Sequence, residues 1–127
     1  MSSLTVFSIV ESPTHPNFSD VYRRLNIDAI TFNSMRKAIS QLKTNKPDFV
    51  VAEFFYGYGN NYAGVNISNL DVFLHSMQKY APDAKVIVIV DKSEREYVAR
   101  LNDLFPLFAV LQHPVQSIEL ENLLKEN

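Results

Sequence analysis

Glu53 closes the run Phe49-Val50-Val51-Ala52. An acid at the carboxyl end of a buried strand stands where α/β proteins commonly place ligands and chemistry. Three more polar groups share that pattern: Glu11 after the apolar segment Leu4–Val10, Asp91 after the run Val86–Val90, and His113 before Pro114. Glu11 and Glu53 could share a divalent ion, but Mg²⁺ wants several oxygens in near-octahedral geometry, and two glutamates make a poor cage. Ser12, His15, Asp91 and His113 hold the groups of hydroxyl-nucleophile catalysis, yet no serine sits in a Gly-x-Ser-x-Gly elbow. No catalytic residue is therefore assigned, and no enzyme is expected. His113 either turns toward Glu53, where the carboxylate would favour the imidazolium, or helps shape the X-Pro turn. Glu53 itself is either a solvated acid at a strand terminus or a working one.

Composition removes several function classes. The chain has 127 residues, enough for one domain with a real core. It has no cysteine, which excludes disulfides, thiolate metal sites and cysteine nucleophiles. His15, His75 and His113 show no ligand-like spacing, so no metal site is assigned. The net charge of −2 comes without a basic stripe, so no nucleic-acid partner is expected of this domain. Val86–Val90 is the longest apolar run and far too short for a bilayer. The first residues, "MSSLTVFSIVES", lack a basic n-region and a small-residue cleavage site, so a cytoplasmic location is the expectation.

The elements that must position these groups alternate. Strands are read at Leu4–Val10, Ile27–Thr31, Asp48–Phe55, Ala84–Val90 and Leu107–Gln112 from their β-branched and apolar runs. Helices are read between them. Ser34 caps one that carries Met35, Ala38, Ile39 and Leu42 on one face, and Leu70, Phe73, Leu74 and Met77 give the i, i+3, i+4, i+7 pattern of another. Ser93 with Glu96 reads as a capping box opening a helix that runs to Phe105. The last helix carries Ile118 and Leu123 as its expected anchors. This order is (βα)₅, which implies a doubly wound parallel sheet of five strands with helices on both faces. One connection is unusually long: "YGYGNNYAGVN", residues 56–66. Tyr56, Tyr58, Asn60, Asn61 and Tyr62 make it a candidate binding loop, since tyrosine offers contact area with a polar tip.

Several families share five βα units at this length. A flavodoxin-type phosphate loop needs glycine after the first strand, and "ESPTHPNFSD" has none and two prolines. The cobalamin-binding Asp-x-His-x-x-Gly run is absent. The chain resembles the CheY-like receiver domain of two-component response regulators. "KPDFVVAEF" is similar to that family's third strand, with Glu53 at the phosphoacceptor position. "AKVIVIVD" is similar to the fourth, and "FAVLQHP" to the fifth.

The resemblance implies a flavodoxin-like fold, a signalling role and a pocket built for Mg²⁺ and a phosphoryl group. The departures imply that this pocket is degenerate. Only Glu11 stands where the family has a pair of acids, Val90 replaces a hydroxyl donor beside Asp91, and His113 puts an imidazole in place of a permanent ammonium. The aromatic switch position falls on Val110. The expected function is thus a phosphorylation-independent interaction or dimerisation domain, a pseudo-receiver working through a protein partner or as a homodimer. No cofactor is expected beyond weak Mg²⁺. Residues 1–127 would form one receiver-like domain, either by itself or as the N-terminal module of a longer regulator. Glu53 could also imitate a phosphorylated aspartate. The alternative from another class is a small-molecule or divalent-metal module using the strand ends and the tyrosine loop.

Overall fold

The computed structural model describes residues 4–56 and 68–125. The five expected strands form one all-parallel sheet: β1 (Thr5–Ile9), β2 (Asp28–Phe32), β3 (Phe49–Glu53), β4 (Lys85–Val90) and β5 (Ala109–Gln112). Their order is β2-β1-β3-β4-β5, so β3 is central and β2 and β5 are the edges. Central strands of a parallel sheet are covered on both faces and must be apolar throughout. All five residues of β3 are buried, and so are Val86 to Val90 in β4.

The helices α1 (Ser19–Arg24) and α5 (Ser117–Lys125) cover one face, burying Val21, Tyr22, Leu120 and Leu124 against Val6, Val51 and Ile89. On the other face lie α2 (Met35–Leu42), α3 (Asp71–Tyr80) and α4 (Arg95–Val98), which cover Phe7, Val50 and Val88. Ser34 caps α2 as its sequence suggests, accepting a hydrogen bond from the Lys37 amide at 3.3 Å. The α3 anchors Leu70, Phe73, Leu74 and Met77 are all buried.

Three local expectations are corrected. The segment from Lys92 to Asp103 is not one helix. It runs as a 3₁₀ turn (Lys92–Glu94), the single α turn of α4 and a second 3₁₀ stretch (Ala99–Asp103). Val98, Leu101 and Leu104 recur every third residue across these short pieces, Val98 and Leu101 buried in the core and Leu104 packed against it. Asp91, rather than Ser93, caps the segment, accepting from the Ser93 amide at 3.0 Å. On α5, Leu123 packs half-buried against the core as expected, but Ile118 is 54% exposed, and Leu120 and Leu124 are the fully buried anchors. The helix is turned so that Leu120 and Leu124 face the core, which leaves Ile118 to solvent and Glu121 at 2.8 Å from Arg24 of α1.

Candidate functional site

β1, β3, β4 and β5 end side by side, and their parallel register brings Ile9, Ala52, Val88 and Val110 level across the sheet. The residues just past these positions, from Val10 to Thr14, Glu53, Asp91 and His113, therefore share one rim. On sequence grounds Glu53 could be a solvated terminus. It is instead only 1% exposed. A buried carboxylate must be met by donors, and the turn after β1 supplies them. Ser12 Oγ donates to Glu53 Oε1 at 2.9 Å and Thr14 Oγ1 to Oε2 at 2.6 Å. His15 Nδ1 lies 3.7 Å from Oε1, with its side chain 2% exposed, and His113 Nε2 lies 3.6 Å from Oε2. Both distances suit ion pairing and exceed hydrogen-bond reach. His113 thus turns into the rim as well as standing before a cis Pro114.

The electrostatics follow from this shell. Burial alone would push the Glu53 carboxyl up, but His15, Thr14 and Ser12 outweigh it and hold the group below its ordinary value of 4.5. Glu53 is a carboxylate at neutral pH. Glu11 shifts the other way: burial raises it above 4.5, the Asn69 hydrogen bond opposes this, and the Glu53 charge adds to the rise. Asn69 ties the rim together. Its Nδ2 donates to Glu11 Oε1 at 2.7 Å and to the Glu53 carbonyl at 2.8 Å, and its Oδ1 accepts from the Phe55 amide at 2.7 Å.

The other expected pocket residues divide. Val90 is fully buried and packs into the core on the α2–α3 face, where it offers no polar atom. Asp91 is exposed and engaged as a cap, held low by the hydrogen bonds from Ser93. Asp91 and His113 border a cleft of about 610 Å³ together with Thr14, Phe54, Phe55 and Ser93. Tyr56 anchors the start of the long loop beside this cleft. Its ring stacks on Tyr97 at 3.8 Å, and its amide donates to Glu94 Oε1 at 3.1 Å. Tyr58, Asn60, Asn61 and Tyr62 lie outside the described residues.

The receiver fold raises the question of Mg²⁺, and the donor set does not fit it. Both Glu53 oxygens accept hydroxyls, Glu11 Oε1 is bound by Asn69, and the residue before Glu11 is Val10. An octahedral ion needs several free oxygens. Among the described residues no three His, Cys, Asp or Glu side chains are grouped to hold a metal. Sequence reasoning named Glu11, Glu53, Asp91 and His113 for the strand ends, with Ser12 and His15 near them, but missed Ser12, Thr14, His15 and Asn69 as partners of the acids. For Ser12, Thr14 and His15 the sequence signal was the Ser12-Pro13-Thr14-His15-Pro16 segment, polar side chains on a backbone whose φ is fixed at two positions.

No family model matches the sequence, and no curated protein matches it. Solved structures do. A response regulator receiver domain protein (CheY-like) from Methanospirillum hungatei superposes with a TM-score of 0.75 at 10% identity, covering 98% of this chain and 93% of its own. A response regulator from Thermotoga maritima gives 0.72 at 18% identity, over 98% and 97% of the two chains. An uncharacterized protein from Neptuniibacter caesariensis gives 0.77 at 18%, over 97% and 85%. Likeness at such low identity establishes architecture, and the architecture is that of the CheY-like receiver.

Proposed function

We propose that the chain is a pseudo-receiver, a signalling domain that interacts or dimerises without being phosphorylated. The observation that carries this reading is the state of Glu53. Its oxygens are engaged by Ser12 and Thr14, and two imidazoles flank it at 3.7 and 3.6 Å. The acid at the phosphoacceptor position thus works as an internal structural anion. Val90 cannot donate to a phosphoryl oxygen, and the acids around Glu11 do not make an ion cage. With the pocket spent on its own cohesion, the domain's exposed faces are left to carry the signal. The edge strand β5 leaves Ala109, Val110 and Gln112 half-buried, and Ile118 on the adjoining α5 is exposed. These surfaces suit self-association or a protein partner.

Sedimentation before and after treatment with acetyl phosphate and Mg²⁺ tests the proposal. The expected result is a dimer in both samples, with no gain of phosphate by mass spectrometry. Glu53→Asp should gain none either, because it restores neither the hydroxyl at Val90 nor the ammonium at His113. Stoichiometric phosphorylation, or a dimer that forms only after treatment, would overturn it. One observation favours a variant of this reading: Glu53 stays ionised at neutral pH, as a mimic of a phosphorylated aspartate must. If it acts so, Glu53→Gln dissociates the dimer, whereas an anion that only holds the rim together leaves the assembly intact.

A further inference from the structure

The sheet is left open over its β2 edge. α1 has only six residues, ended by Asn26 in the left-handed region at φ 57°, and β2 is the terminal strand. Between them lies a cavity of about 540 Å³, walled by Val10, Ile27 and Ala29 on the apolar side and by His15 and Tyr22 on the polar side. Apart from Val10 and His15 at its border, it shares nothing with the rim around Glu53.

Two groups on its wall are unsatisfied. The His15 side chain is 2% exposed and Tyr22 is 6% exposed. Neither His15 ring nitrogen nor Tyr22 Oη completes a well-formed hydrogen bond among the described residues, although Ser8 on the same wall lies near enough to Tyr22 to offset part of the rise that burial imposes on its phenol. Buried polar groups in native proteins are almost always bonded, so two orphans on one cavity wall point to an occupant. The chemistry of that occupant follows from the orphans. His15 Nδ1 faces the Glu53 carboxylate at 3.7 Å, and in the neutral ring a proton held there leaves Nε2 as an acceptor. A phenol oxygen both donates and accepts. The lining carries both signs of charge, Asp28 and Arg23, the latter paired with Asp20 at 3.0 Å, and so selects neither an anion nor a cation.

We propose that this cavity binds a small neutral molecule with an alcohol or phenol hydroxyl on an apolar body, the hydroxyl donating to His15 Nε2 and accepting from Tyr22 Oη. Its apolar part lies on Val10, Ile27 and Ala29. The proposal is independent of the pseudo-receiver reading, because it requires nothing of the phosphoacceptor position beyond a carboxylate beside His15.

The test is a pair of titrations of the chain followed by amide NMR, with p-cresol and with p-methylanisole. The second has nearly the same body but no hydroxyl proton. p-Cresol should give saturable shifts at Val10, His15, Tyr22 and Ala29, and p-methylanisole should bind about tenfold more weakly, the equivalent of one lost hydrogen bond. Tyr22→Phe keeps the ring packing and should weaken p-cresol by a similar factor. Ala29→Leu fills the cavity and should abolish the shifts. Equal affinity for the two probes, an unchanged affinity in Tyr22→Phe, or no saturable shift with p-cresol each overturn the proposal; in the last case the cavity holds only water.

Discussion

Glu53→Ala is expected to destabilise the domain by about 2–3 kcal/mol, seen as a fall of roughly 10 °C in the thermal midpoint. The size follows from burial. Glu53 is 1% exposed and accepts from Ser12 and Thr14, so truncation removes two charge-assisted hydrogen bonds and opens a small void beneath the rim. The two hydroxyls lie nearer the surface and can turn to water, which limits their share of the cost. His15 cannot: its side chain is 2% exposed, and it loses its one nearby anion. Glu53→Gln keeps the shape and one acceptor, so it should cost about half as much. Denaturant or thermal unfolding of both variants measures this. A Glu53→Ala change within about 0.5 kcal/mol of the parent would mean that the acid is a solvated terminus after all.

The second large effect is on stability against pH, and the two acids act in opposite senses. The Glu53 carboxyl is lowered in the folded state, so its contribution is full above the unfolded value near 4.5 and is lost as pH falls through its folded value. Glu11 is raised, so its contribution is full below 4.5 and is lost as pH rises through its folded value. On acidification from neutral pH, stability should therefore first rise as Glu11 takes up a proton. It should then fall steeply below 4.5 as Glu53 does. Asp91, lowered by Ser93, adds to the same acid limb. Chemical denaturation across this range should show a maximum on the acid side of neutrality. Glu11→Gln should flatten the rise and leave the fall, and Glu53→Gln should make the fall shallower. It should also weaken the rise, since the Glu53 charge helps to lift Glu11. A profile that declines steadily from pH 7, or one unaltered by Glu53→Gln, contradicts this assignment.

The sheet was legible because its signals are local. Val86 to Val90 can be buried on both faces only in a central parallel strand, and Leu70, Phe73, Leu74 and Met77 fit one helical face and no other period. The misreadings arose where tertiary packing chose between local patterns. In α5, Ile118, Leu120, Leu123 and Leu124 permit more than one apolar stripe, and packing with Val21 and Tyr22 of α1 over the sheet selects Leu120 and Leu124. In the segment after β4, the capping-box pattern gave way to a cap at Asp91 and a run of short pieces, with Val98 and Leu101 buried and Leu104 packed against the core. The site was legible only in outline. Strand ends predict that Glu11, Glu53, Asp91 and His113 share a rim. They do not predict that Ser12 and Thr14 fold over to a carboxylate some forty residues along the chain, or that Asn69 reaches back to Glu11. Such pairings depend on the path of a turn, which no periodicity records.

The most direct measurement is an amide NMR titration with Mg²⁺ and then beryllofluoride, which stands in for a phosphoryl group. A rim whose carboxylates are already engaged predicts that amides around Glu11, Glu53, Asp91 and His113 stay unmoved through both additions. Saturable shifts at those positions would show a pocket that still takes an ion or a phosphate-like group, and would contradict the pseudo-receiver account.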